Sequence, residues 1–211
     1  MDPTQGRGLT WTAIDVEWYG VIDQLQPGDA VVVVDIQKDF CPGGALAVPD
    51  GDKVVEVLNR WIEQAERVGA TVVLTRDWHP PEHCSFKEQG GPWPAHCIRD
   101  TAGAEYHPDL RIPPGSIHVD KATDPDHECY SDFAGTTLGK QLHDKSIKRL
   151  WVGGLALDYC VRATVLEALA NGFEVHLLKP ATRAVDLKPG DGQRAIAEML
   201  AAGALIEEAA S

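Results

Sequence analysis

The 211-residue sequence predicts an α/β fold, a single doubly wound and mainly parallel six-stranded sheet with helices on both faces. Three observations predict it. Short runs rich in valine, isoleucine and leucine recur along the chain, and stretches with helical apolar spacing, closed by glycine, lie between most of them. The runs are apolar nearly throughout rather than alternating, which marks strands buried on both faces.

Residues 1–28 form an N-terminal extension, and residues 29–211 carry the sheet domain. In the extension Trp11, Ile14, Trp18, Val21 and Leu25 follow a three-four spacing and would make one apolar stripe on a short helix. Such a stripe needs a partner, either its own domain or a neighbouring subunit, so a homo-oligomer is one expectation. The first strand, 30–35, drives four valines into Asp35. A carboxylate delivered from so dry a run costs several kcal/mol unless it is paired or functional, so Asp35 is either a cap or an acid–base group. Asp39 lies past the strand and suits a turn cap.

Helix 52–68 follows, with Val54, Val55, Leu58, Trp61, Ile62 and Ala65 on one stripe and Gly69 as its stop. The second strand, 70–75, runs into a long proline-rich segment, 76–114, that holds four of the eight histidines. A loop of that length in a compact domain is usually functional. Asp77 and His79 at its start, with His83 and His96 later, offer one carboxylate and two or three imidazoles, a donor set suited to one divalent metal ion, zinc first and iron or manganese next. The D-x-H pair on extended chain points both side chains to one face.

Strand 116–120 delivers Lys121 and strand 149–153 leads through Gly154 toward Cys160, which precedes a helix over 161–171. A thiol at a helix N-terminus meets unpaired N–H groups and the positive end of the helix dipole. Strand 174–178, helix 193–202 and a weak strand 204–207 complete the pattern. Because sites in such sheets form at the carboxyl ends of the strands, Asp35, Asp77, Lys121 and Cys160 can converge on one edge. Lowering a cysteine pKa from about 8.5 to about 6.5 takes roughly 2.7 kcal/mol, and an ammonium about 4 Å away supplies on the order of 4 kcal/mol at an effective dielectric of 20. Lys121 alone would therefore ionise Cys160, with Asp35 as the proton acceptor. Phe40, Trp93 and Tyr130 are candidates for a flat pocket wall.

Bulk properties narrow the partners. Nineteen basic against 32 acidic residues give a net charge of −13, which repels nucleic acid and anionic membranes and leaves a small neutral or cationic substrate. No apolar run approaches the roughly 20 residues of a membrane span, and the first residues lack a secretory profile, so a cytoplasmic location is expected. The five scattered cysteines read as reduced thiols.

The segments 34–48, 77–80 and 93–97, Lys121, the stretch 153–161 and the tail 185–189 together resemble nicotinamidases of the isochorismatase-like cysteine hydrolase superfamily. The resemblance implies a catalytic Asp35, Lys121 and Cys160, metal ligands Asp77, His79 and His96 with His83 as a further candidate, and hydrolysis of nicotinamide to nicotinate and ammonia. It also implies a cis peptide between Leu155 and Ala156, an oxyanion hole from the N–H groups of Ala156 and Cys160, and Leu155 beside the substrate. Leu157 departs from the threonine common at that position. Alternatives are a carbamoyl or ureido amidase of the same superfamily and a non-catalytic binding protein on the same fold.

Overall fold

The computed structural model describes residues 24–208. Six strands form one all-parallel sheet: β1 (Asp29–Val34), β2 (Thr71–Asp77), β3 (Ile117–Lys121), β4 (Arg149–Leu155), β5 (Glu174–Arg183) and β6 (Leu205–Glu207), in the order β3-β2-β1-β4-β5-β6. Four helices cover it: α1 (Val54–Val68), α2 (Leu138–Asp144), α3 (Arg162–Ala170) and α4 (Asp191–Ala201).

Alternation along the buried strands divides the core into two layers. Val31 and Val33 of β1 join Leu58, Trp61 and Ile62 of α1 on one face. Ala30, Val32 and Val34 face the other way, with Leu138 and Leu142 of α2, Val165 of α3 and Met199 of α4. Trp61 stacks on Trp151 at 5.0 Å between ring centroids, which fixes α1 across β4. Gly69 ends α1 in the left-handed region, φ 76°, with its N–H donating to the Ala65 carbonyl.

The strand order reverses direction between β1 and β4, so a crevice opens where their carboxyl ends diverge. Gly154 lies at that reversal with φ 133°, and a Cβ there would meet the Val34 carbonyl oxygen at 2.1 Å. The close approach of β4 to β1 at this level thus requires glycine.

Two elements differ from the sequence reading. Helix α2 is only seven residues long and buries just Leu138 and Leu142, too short a pattern to register as a helical period. Strand β5 continues past Lys179 and Pro180 to Arg183, because pairing with β4 resumes at Gly154 with Thr182 after an irregularity. Of the N-terminal apolar stripe, Leu25 is buried in the core, and the remainder lies outside the described residues. No helix among the described residues is long and apolar enough to cross a membrane.

Gly154→Ala is expected to cost about 3 kcal/mol or more, whereas Gly69→Ala, with open space around its Cβ, is expected to cost about 1–2 kcal/mol. Urea unfolding midpoints at unchanged m-value measure both, and equal costs would contradict the close-approach argument.

Candidate active site

Four strand ends meet at the crevice. Asp35 follows β1 directly and turns the chain with φ 49°. Its N–H donates to Thr75 Oγ1 at 3.3 Å, and that hydroxyl donates back to Asp35 Oδ1 at 2.9 Å. Asp77 ends β2 and pairs in register with Lys121 at the end of β3. The Lys121 ammonium lies 2.8 Å from Asp35 Oδ2, forms an ion pair with Asp77 Oδ1, and donates to Cys160 Sγ at 3.5 Å. Lys121 is 1% exposed and Asp35 0%, so this cluster is out of reach of bulk screening.

Cys160 is delivered by a wide turn, Leu157–Val161, in which the N–H groups of Tyr159 and Val161 both donate to the Ala156 carbonyl at 3.1 Å. The Leu155–Ala156 peptide is cis. The turn merges into α3, so the thiol sits in the first turns of a helical segment. Asp158 ties this turn to the chain beyond β5, its two oxygens accepting the Val185 and Asp186 N–H groups at 2.9 Å.

The electrostatics correct one expectation from the sequence. Burial drives the Cys160 thiol well above its ordinary pKa; Lys121 pulls it down, but Asp35 and Asp77 push it further up. Lys121 does not ionise the thiol alone because burial outweighs its pull and two carboxylates already share its charge. Burial also raises Asp35, against the pull of Lys121 and with Asp77 adding to the rise. For Asp77 burial is outweighed by Lys121, His79 and His96, and its carboxyl stays below the usual range. Lys121 stays protonated, since Asp35 and Asp77 more than offset the cost of its burial. The resting cluster is thus a thiol beside an ammonium and a proton-hungry carboxylate.

Asp77, His79 and His96 form a buried metal-binding group, with one donor atom of each within 4.8 Å of the others. Their orientation fits a cation. His96 Nδ1 donates to the Pro94 carbonyl at 2.8 Å and His79 Nδ1 faces the Ala122 carbonyl at 3.3 Å, which leaves both Nε2 atoms as lone-pair donors toward Asp77 Oδ2. His79 Nε2 is buried without a hydrogen-bond partner. Burial lowers the His96 pKa, which keeps that ring neutral and able to ligate. His83 packs its ring 4.2 Å from that of His79, centroid to centroid, but is not one of the clustered donors. Its ring nitrogens face Ser85 Oγ at 2.7 Å and the His127 carbonyl at 3.2 Å, partners that occupy both of its polar edges.

A pocket opens at the cluster, and Asp77, His96, Ala156 and Cys160 are among the residues that line it. Phe40, Trp93 and Tyr130 are among its walls. Trp93 Nε1 donates to the Tyr130 hydroxyl at 3.0 Å, and Tyr159, to which the sequence assigned nothing, packs edge-on against Trp93 at 5.0 Å. Leu155 is not a wall. Its side chain ends β4 on the α1 face and is 0% exposed in the core, so only its backbone borders the site.

Two further positioning residues carried no role in the sequence reading. Gln37, fully buried, clamps Asp77 from both sides: its Oε1 accepts the Asp77 N–H at 2.8 Å and its Nε2 donates to the Asp77 carbonyl at 2.8 Å. Its neighbours Lys38 and Asp39 are themselves polar, so nothing local marked it. Asp158 is the second, readable only as a polar residue in the turn before Cys160. Asp39 accepts the Ala45 N–H at 3.1 Å and the Cys97 N–H at 2.8 Å, joining the β1 exit to the histidine loop.

A protein-family model for the isochorismatase domain matches residues 29–211. The nicotinamidase of Escherichia coli (strain K12) is 39% identical over 201 residues, covering 85% of this chain and 94% of that protein. The crystal structure of pyrazinamidase of Pyrococcus horikoshii in complex with zinc is 48% identical at a TM-score of 0.83, covering 86% of this chain and 99% of that one. PnC1 from L. infantum in complex with nicotinate is 34% identical at a TM-score of 0.77, covering 85% and 92% of the two chains.

Zinc titrated into metal-free protein is expected to bind at one ion per chain, and His79→Ala or His96→Ala to weaken it by at least about a hundredfold in calorimetry. The affinity is expected to fall on acidification, at a pH below the ordinary imidazole range because burial lowers the His96 pKa. Wild-type affinity in both variants would remove these residues from the metal group. The match over the whole sheet domain and the shared fold lead to one assignment: the chain belongs to the isochorismatase family.

Proposed function

We propose that the protein is a nicotinamidase, an amidohydrolase that converts nicotinamide to nicotinate and ammonia and that also accepts pyrazinamide. One observation carries the reading: an aromatic pocket is lined by the Cys160 thiol together with Asp77 and His96 of the metal-binding group, and the buried Lys121 ammonium joins that thiol to Asp35. Similarity to nicotinamidases over most of the chain supports the same substrate.

The roles follow from the chemistry of each group. A planar ring lies between Phe40 and Trp93, with its carboxamide directed at Cys160. Asp77, His79 and His96 would hold a divalent ion, which supplies a Lewis-acid contact for the ring nitrogen. Because the resting thiol is protonated, attack is coupled to proton transfer: as Sγ bonds to the carbonyl carbon, its proton passes to Asp35, whose raised pKa suits it as a base. Lys121 stays charged throughout and stabilises the developing thiolate. The carbonyl oxygen, now an oxyanion, is placed at the N–H groups of Ala156 and Cys160. Collapse of this intermediate breaks the C–N bond, and Asp35 returns its proton to the leaving amine, which departs as ammonia. Water then attacks the thioester, losing one proton to Asp35; the C–S bond breaks, Asp35 returns that proton to the departing sulfur, and the carboxylic acid leaves and ionises in solvent to the carboxylate.

The five free thiols support a reducing, cytoplasmic setting, and the charge of −13 supports a small-molecule partner rather than nucleic acid.

Cys160→Ala is expected to lower ammonia release from nicotinamide by about a thousandfold or more in a protein that still folds. Retained turnover would exclude the nucleophile. Benzamide, which lacks the ring nitrogen, is expected to show kcat/KM lower by about a hundredfold or more in the zinc-loaded enzyme. Equal rates on the two amides would exclude the ring-nitrogen contact.

A further inference from the structure

The mechanism leaves one buried carboxyl unused. Asp132 lies in the chain between β3 and α2, two residues beyond Tyr130, is 0% exposed, and has both carboxyl oxygens buried without a hydrogen-bond partner. Its polar neighbours are the hydroxyls of Thr75 on β2 and Thr164 on α3. The charged and titratable groups facing it are Asp35 beyond β1, Lys121 at the end of β3, Cys160 in the turn before α3, and Tyr106 of the long loop.

Proton counting across these hydroxyls is restrictive. Thr75 Oγ1 spends its only proton on Asp35 Oδ1 and already accepts the Asp35 N–H, so it has one acceptor position left and no donor. Thr164 Oγ1 accepts the Asp132 N–H at 3.0 Å and keeps its own proton to give. An ionised Asp132 would compete with Asp35 for the Thr75 proton and would set three carboxylates against the single Lys121 ammonium. A carboxylic acid instead completes the network, donating to Thr75 while accepting from Thr164.

We propose that Asp132 is a positioning residue held as a neutral carboxylic acid, whose O–H fixes the Thr75 hydroxyl as a donor to Asp35 and so keeps Asp35 ready to accept the thiol proton. No proton moves along this chain during the reaction; Asp132 keeps its own. Burial and the neighbouring Asp35 both raise its carboxyl well above the ordinary range, against the opposing pull of Lys121, in agreement with that state. The folded protein therefore binds a proton here that the unfolded chain has already lost, and ionisation of Asp132 at alkaline pH adds a negative charge beside Asp35 and Cys160.

The test uses the zinc-loaded enzyme. Infrared difference spectra at neutral pH are expected to show the carbonyl band of a neutral carboxylic acid that vanishes in Asp132→Asn. The alkaline limb of the kcat/KM profile is expected to move up by about one pH unit or more in the same variant, because the amide cannot ionise. Asp132→Ala, which lacks the donor, is expected to lose about tenfold in kcat with KM changed less than about twofold, and Asp132→Asn to recover most of that loss. Asp132→Ser supplies a second donor if the amide variant fails to fold. No acid band assignable to Asp132, or an alkaline limb at the wild-type position in every folded variant, would overturn the proposal. The kinetic arm rests on the amidase reading and the infrared arm does not, so a protein with the band and no amidase activity would refute that reading and leave the neutral acid standing.

Discussion

Lys121 Nζ lies between two carboxylates and a thiol with almost no access to water, and the architecture of the crevice follows from what that ammonium requires. Each of these ions alone would cost several kcal/mol to bury, and together they are tolerable because one cation donates to Asp77 and to the Cys160 sulfur and lies 2.8 Å from Asp35 Oδ2. The arrangement ties β1, β2, β3 and the turn after β4 to a single point. It also leaves the cluster one negative charge in excess, since Asp35 and Asp77 oppose only Lys121. That excess adds to burial in keeping the thiol protonated at rest and in drawing Asp35 toward accepting a proton, and it makes a cation beside Asp77 favourable. Catalytic readiness and metal affinity are, on this account, two consequences of one charge imbalance.

The doubly wound sheet makes such a cluster possible. Asp35 and Cys160 are far apart in sequence but lie at the ends of adjacent strands, where the strand order reverses and the two chains separate. Gly154 lets β4 approach the Val34 backbone closely enough for that adjacency. Side chains behind the site then hold each group: Thr75 for Asp35, Gln37 for Asp77, Asp158 for the turn that carries Cys160. All of these bonds involve buried atoms, where a missing partner costs more than in water, so they act as constraints on geometry.

What was readable in the sequence depended on range. The strands announced themselves as local apolar runs, and the polar residues ending them, Asp35, Asp77, Lys121 and Cys160, stood out because nothing apolar explains them. Their convergence followed from topology. The histidine loop signalled its donors by composition, but not which would gather: His83 is adjacent in chain to the metal group, yet Ser85 and the His127 carbonyl engage its ring, and the latter contact comes from a distant segment. Gln37, Asp132 and Asp158 act only through partners remote in sequence, so no local pattern marks their roles. The protonation of Cys160 was misjudged for the same reason. A pairwise reckoning with Lys121 omits the burial of the thiol, which is the larger effect, and the two carboxylates that already claim that charge, and only the assembled cluster supplies both.

The measurement that bears most directly on this account is the unfolding free energy of Lys121→Met alone and combined with Asp35→Asn and Asp77→Asn, by urea titration of the metal-free protein. The single replacement, which strands two buried carboxylates, is predicted to cost about 3–5 kcal/mol, and the triple replacement to recover most of that loss. A cost below about 1 kcal/mol for Lys121→Met, or a triple variant less stable than the single one, would contradict the claim that this buried ammonium holds the site together.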